Sequence, residues 1–186
     1  MSAEQRQRSS GGWKETLYFW LGTAAAVLTA LILLFTFVGR VIVVDGISML
    51  PTLEHGDLLL LQSVGYTPRQ GDVVVLTKEF EDADGPIVKR VIATGGQHVE
   101  IDYAAGTVAV DGRILNEPYL NGWMGIPCYE HLTSVDVPQG SIFVMGDNRD
   151  ESSDSRNATL GAVDERYVLG RAVWVVFPFR NFGPAE

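Results

Sequence analysis

Two stretches hold residue types able to do chemistry together. The first is VVDGISMLPTL, Val43 to Leu53, where Ser48 follows Gly46 by two residues and precedes Met-Leu-Pro. A serine is a nucleophile only with a base in reach, and most often that base is a histidine oriented by an acid. His55, His98 and His131 lie in turn-like or irregular contexts outside any motif, and they read as surface residues. They also lack the i, i+4 spacing of a helical zinc site, so no metal is expected.

A lysine can serve instead of histidine if it is neutral, which requires loss of water and apolar company. Lys14 precedes a long apolar run, and Lys78 sits among acids in TKEFEDAD, which would hold it charged. Lys89 lies inside PIVKRVIA. As a strand, this stretch puts Ile87, Lys89 and Val91 on one face, with Val88, Arg90 and Ile92 on the other. Two readings stand on physics alone: a lysine desolvated for catalysis, or a solvated edge-strand lysine that discourages aggregation. Around Ser48, Gly46 permits close backbone approach and Pro51 fixes the following chain. A serine so held can offer its own N–H to a developing oxyanion, and the plainer alternative is a strand-to-turn junction.

A third stretch, MGDNRDESSDSR, runs from Met145 to Arg156 after an apolar run. Asp154 with Arg156, and Asp147 with Arg149, are possible pairs. Short polar side chains of this kind lock loops by bonding to backbone. The acidic spacing lacks the distal glutamate of an EF-hand, which excludes that calcium loop.

The elements that must position these residues are legible too. Leu17 to Gly39 is free of charge over 23 residues, where a membrane-spanning helix needs roughly 20. Tyr18 and Trp20 stand near one end, as interfacial aromatics do. The run is longer than the core of a cleaved leader, and a small-x-small exit site is missing from GRVIVVD, so an uncleaved anchor is expected. Arg6, Arg8 and Lys14 precede it and Arg40 follows it, which puts the N-terminus in the cytoplasm. The expected organisation is a cytoplasmic tail over 1–16, an anchor over 17–39 and an extracytoplasmic domain over 40–186. Beyond Arg40 there are 10 Lys+Arg against 21 Asp+Glu, a net charge of −11 that argues against a nucleic-acid partner.

The domain reads as β. Strands are expected at 41–44, 57–62, 72–76, 86–93, 99–103, 107–110, 141–145 and 171–177, with turns at His55-Gly56-Asp57, Gln70-Gly71-Asp72, Asp84-Gly85-Pro86, Gly95-Gly96 and Asp111-Gly112. The fold class expected is mainly β, an antiparallel sandwich or partly closed barrel behind one transmembrane helix. Residues 113–139, rich in Pro and Gly, read as an excursion forming a small lobe. The lone Cys128 cannot form an internal disulfide and reads as a small buried apolar residue.

Together these stretches resemble the type I signal peptidases, membrane-anchored Ser/Lys endopeptidases that remove signal peptides from exported proteins. The family's nucleophile motif appears as SMLPTL at 48–53, its lysine motif as KRVIATGG at 89–96, and its third motif as GDNRDESSDSR at 146–156. GDVVVL at 71–76 and GRAVWVVFP at 170–178 also fit, so the likeness runs from the anchor to about Pro178.

The resemblance implies that Ser48 is the nucleophile and Lys89 the general base. It implies that Ser152 orients the lysine ammonium, and that Asp154 and Arg156 form a supporting ion pair. Gly46 stands where some members carry a second serine whose hydroxyl helps the oxyanion hole. The expected substrates are preproteins with small residues before the cut, bound extended beside residues 43–47, with Val44, Ile47 and Ile87 as candidate wall residues. Membrane lipid is the other expected partner, and no cofactor is implied. Two rival classes are a soluble self-cleaving Ser/Lys protease, which lacks the span, and a non-enzymatic anchored β-domain.

Overall fold

A computed structural model of the chain describes residues 12–37, 39–77, 85–120, 122–126 and 130–186. Arg6, Arg8, Lys78, Cys128 and the turn residue Asp84 lie outside the described residues. The chain separates into two compact units, residues 1–39 and 40–186.

The first unit contains helix α1, Gly12–Phe37. Its 26 residues extend roughly 39 Å at the usual rise, more than the roughly 30 Å of a bilayer's hydrocarbon core. Its alanines and leucines are strong helix formers. The hydroxyls of Thr16, Thr23 and Thr29 donate to the carbonyls of Gly12, Phe19 and Ala25, at 2.8 to 2.9 Å. Polar side chains are thereby satisfied within the helix, as an apolar solvent demands. The helix starts at Gly12 rather than Leu17, because lack of charge marks a span whereas a helix continues through Lys14 and Glu15. Large side chains from Leu17 to Ile32 are exposed on it, which fits a membrane anchor.

The second unit is mainly β, as expected. Its strands are β1 (Gly39–Val43), β2 (Leu58–Gln62), β3 (Val73–Leu76), β4 (Ile87–Thr94), β5 (His98–Asp102), β6 (Thr107–Val110), β7 (Arg113–Ile114), β8 (Ser134–Asp136), β9 (Ser141–Met145), β10 (Val163–Asp164), β11 (Val168–Phe177) and β12 (Gly183–Pro184). The larger sheet runs β1-β2-β11-β3-β4-β9-β10, with β12 also paired to β11. The smaller runs β7-β6-β5-β8. Strands β2 to β12 pair antiparallel.

Strand β11 lies between β2 and β3 and is long enough to pair with both. Among its described residues, the 113–139 excursion supplies the short strands β7 and β8 at either side of the smaller sheet. The β5–β6 hairpin at its centre comes from before that stretch. At the β6–β7 turn, Asp111 and Gly112 have φ of 51° and 73°. Two successive positive values are what a tight hairpin turn requires, and Asp-Gly is a sequence that tolerates them.

One core cluster carries the turn that contains Ser48. Val44, Met49 and Leu53 pack there with Leu59, Leu61, Val73, Val75, Val88, Ala172 and Val175. Met49 and Leu53 are each 1% exposed. Burial of such side chains stabilises by roughly 1.5–3 kcal/mol each, enough to seat the turn on the sheet. A second cluster joins β4 and β9 to the smaller sheet through Ile92, Phe143, Val99 and Val108.

Candidate active site

Ser48 stands in a tight turn between the two buried anchors Val44 and Met49. The amide of Leu50 donates to the Ile47 carbonyl at 3.2 Å, and that of Leu53 to the Met49 carbonyl at 3.0 Å. The far side is held by the third motif: the Asn148 amide donates to the Ser48 carbonyl at 3.0 Å, and Asn148 Nδ2 to the Ile47 carbonyl at 3.2 Å. Residues a hundred positions apart thus fix the backbone on both sides of the serine.

Lys89 lies in the middle of β4, opposite Val74 of β3. It is 4% exposed, and its Nζ donates to Ser48 Oγ at 2.6 Å. Burial lowers its pKa from 10.5 to about 8. Asp154 and Asp147 pull it back up, and Arg156 pushes it down. The apolar strand face read from PIVKRVIA is therefore a desolvating one, and the edge-strand alternative falls away: β4 is interior, with β3 and β9 as neighbours. When the amine is neutral, the same short contact can run the other way, with the hydroxyl donating to the nitrogen lone pair.

Behind the lysine lies a buried polar loop. The Ser152 hydroxyl donates to Asp154 Oδ2 at 2.7 Å, and the Gly146 amide donates to the same oxygen at 3.0 Å. Arg156 Nε donates to Asp154 Oδ1 at 2.8 Å and Nη2 to Oδ2 at 2.9 Å, with both side chains fully buried. Burial pushes the Asp154 carboxyl up, yet the Arg156 charge and these hydrogen bonds outweigh it and hold the group below its usual value. Arg156 Nη2 also reaches the carbonyls of Arg149 and Ser152, which ties the loop into a closed form. Gly146 is the contact point: a Cβ there would fall 2.5 Å from the Ser48 carbonyl oxygen and 2.6 Å from Ser152 Cβ.

The expected Asp154–Arg156 pair forms, whereas the Asp147–Arg149 pair does not. Asp147 instead takes Arg90 Nε at 2.8 Å and Nη2 at 2.7 Å, and it accepts from Thr52 Oγ1 at 2.5 Å. Arg149 turns to Glu117 at 2.5 Å. Arg90 shares its strand face with Val88 and Ile92, and a cation so placed needs a carboxylate from elsewhere in the chain. The Tyr119 ring covers the Arg90 guanidinium at 4.0 Å, and its hydroxyl donates to Glu117 at 2.8 Å. Thr52, Arg90, Asp147, Asn148, Glu117 and Tyr119 were missing from the sequence-derived site. Their signal was a buried-face arginine beside the lysine.

The three candidate wall residues do not form one cluster. Val44 is buried in the cluster with Met49, Ile87 packs at the edge of another cluster with Val74 and Leu76, and Ile47 is 47% exposed. Gly46, with φ +96, has open space around its Cβ position. Among the described residues no three His, Cys, Asp or Glu side chains gather to hold a metal. A cleft of about 620 Å³ on the smaller sheet, between Glu100 and Ser134, contains none of the site residues.

Comparison with known proteins follows the same motifs. The model of the family described as "Signal peptidase, peptidase S26" matches residues 16–177.

The chain belongs to this signal peptidase family.

The probable signal peptidase I-1 of Synechocystis sp. is 38% identical over 167 residues, covering 85% of this chain and 81% of that protein. Signal peptidase I of Bacillus licheniformis is 32% identical over 184 residues, covering 94% and 96%. A crystal structure of a signal peptidase I from Enterococcus faecalis aligns with a TM-score of 0.47 at 28% identity, over 58% of this chain and 98% of that one. Membership of a signal peptidase family makes the chain a serine-peptidase-type hydrolase, and the matched segment includes Ser48, Lys89 and the whole 146–156 loop.

Proposed function

We propose that this protein removes N-terminal signal peptides from exported preproteins by a Ser48/Lys89 dyad acting through an acyl-enzyme. The observation that carries this reading is the 2.6 Å contact between Lys89 Nζ and Ser48 Oγ, with the lysine desolvated to a pKa of about 8. Neutral Lys89 takes the Ser48 proton as Oγ attacks the scissile carbonyl carbon. The proton then passes to the departing amine, leaving the acyl group on Ser48. Lys89 next takes a proton from water as the water oxygen attacks the ester carbonyl, and returns it to Ser48 Oγ as that oxygen leaves, which frees the signal peptide with its new C-terminus. Ser152, Asp154 and Arg156 position the lysine through the loop around Gly146. The Ser48 amide stabilises the oxyanion.

Helix α1 anchors the enzyme, with the N-terminus cytoplasmic and the β-domain outside. Ser48 follows Gly39 by nine residues, so the site stays near the outer bilayer surface, where a signal peptide's apolar segment ends. The preprotein adds a strand beside residues 43–47, and shallow pockets near Val44, Ile47 and Ile87 select small side chains.

The test is cleavage of a preprotein with an Ala-x-Ala junction in detergent by wild type, Ser48→Ala and Lys89→Ala. Cutting at the junction by wild type alone is the expected result. Full-rate cleavage by Ser48→Ala would remove the nucleophile assignment.

A further inference from the structure

Two residues before Ser48, the Gly46 amide donates to Nδ1 of His55 at 3.2 Å. The same nitrogen stands 3.3 Å from Oδ1 of Asp45. One atom thus has two partners, and they require opposite protonation states. Unprotonated Nδ1 accepts from the Gly46 N–H. Protonated Nδ1 has no lone pair to offer, and it donates to the Asp45 carboxylate instead.

The surroundings give this exchange a mechanical effect. Val44 is fastened to the 55–57 turn through its own backbone, with its amide on the Asp57 carbonyl at 2.8 Å and its carbonyl accepting from Gly56 at 2.9 Å. Ile47 and Ser48 are fastened through their carbonyls to Asn148. Gly46 lies between these two anchored points. It has φ +96 and no Cβ to restrict rotation of its peptide, so an outside acceptor must hold its amide in place. That acceptor is an imidazole nitrogen, which accepts only when it carries no proton.

The charged groups around His55 come from three segments. Asp45 comes from the end of the β1 segment. Glu54 and Asp57 come from its own turn, and Arg180 from the C-terminal stretch, paired with Glu54 at 2.7 Å. Asp57 is itself occupied by the Glu54 amide and Asn181 Nδ2, which leaves Asp45 as the carboxylate facing Nδ1.

We infer that His55 is a positioning residue for the proposed substrate-binding segment that follows β1: neutral, it holds the Gly46 amide and keeps residues 43–47 in the form that pairs with a preprotein; protonated, it turns to Asp45 and releases that segment. This inference rests on the function proposed above. His55 acts through Gly46, so it governs KM for preprotein more than kcat. One hydrogen bond of this kind is worth about threefold to tenfold in affinity.

Two measurements on the full-length protein in detergent test it. The first is the Gly46 amide signal by NMR between pH 5 and 8. It should shift with pH in wild type and stay flat in His55→Asn, whose side-chain oxygen replaces Nδ1 as a non-titrating acceptor. The second is preprotein cleavage. His55→Ala should raise KM about threefold to tenfold at pH 8, and His55→Asn should restore it and remove the wild-type rise in KM on acidification. A pH-independent Gly46 signal in wild type overturns the inference, as does a wild-type KM in His55→Ala. If the proposed function is at fault instead, Ser48→Ala cleaves like wild type while the NMR measurement still decides the link between His55 and Gly46.

Discussion

The Arg90 guanidinium lies bidentate on the Asp147 carboxylate, at 2.8 and 2.7 Å, with the two side chains 5% and 0% exposed. Asp147 also accepts from Thr52, four residues after Ser48, so this one carboxylate joins all three motif stretches. Asp147→Asn leaves a cation buried without its counter-charge and should cost about 3–5 kcal/mol. The paired replacement Arg90→Met with Asp147→Leu should cost much less. Urea unfolding measures both; equal losses would mean that the pair is not what stabilises the junction.

Proton abstraction needs neutral Lys89. With its pKa at about 8, kcat/KM should climb as pH rises and reach half its plateau near pH 8. A profile level from pH 6 to 10 would exclude Lys89 as the base.

The same lysine burdens stability. In the unfolded chain it ionises near its ordinary 10.5, and in the folded state near 8. Folding therefore costs on the order of 3 kcal/mol below pH 8, and this cost fades as pH rises toward 10.5. Lys89→Met should raise Tm at pH 7 while abolishing cleavage, and its advantage should shrink at pH 10. An advantage that is unchanged with pH would show that the gain came from packing alone.

Gly146→Ala places a methyl group against Ser152 Oγ and the Ser48 carbonyl. Neither the buried loop nor the serine turn can give way without moving the dyad. Displacement of about 1 Å in such a site reduces turnover on the order of 100-fold. Single-turnover kinetics on folded variant checks this, and a near-normal rate would mean that the loop has room that the packing does not show.

Tyr119 braces the arginine from the other side. Tyr119→Leu removes both the ring over Arg90 and the hydroxyl on Glu117, and should cost about 1–3 kcal/mol. Tyr119→Phe should recover most of it, because the ring remains. Thermal unfolding of the two variants separates stacking from hydrogen bonding, and equal losses would assign the effect to the hydroxyl.

Local pattern made the strands and the apolar setting of Lys89 legible. Alternation along PIVKRVIA placed Lys89 on an apolar face, and the turn signals at Gly56, Gly71 and Asp111-Gly112 fall where the chain reverses. What the sequence could not show is pairing across distance. Nothing local in residues 168–177 says that they insert between β2 and β3. Nothing in GDNR says that its aspartate passes over the nearby Arg149 to take Arg90, while Arg149 reaches back to Glu117. Proximity in sequence offers Arg149 the nearer Asp147 as a possible partner, whereas burial of both arginines sets the real pairing. The 113–139 stretch reads as an excursion because β7 and β8, at two and three residues, are too short to give a period.

The position of β11 also sets an order in time. Ser48 comes from the β1–β2 side of the large sheet and Lys89 from the β3–β4 side, and β11 is the strand that joins them. Synthesis runs from residue 1 onward, so both reactive groups leave the ribosome long before the strand that brings their halves together. A chain stopped at residue 167 should bind no active-site serine reagent, whereas one running through β11 to residue 186 should. Ser48 and Lys89 are thus brought onto one sheet only once β11 has been made.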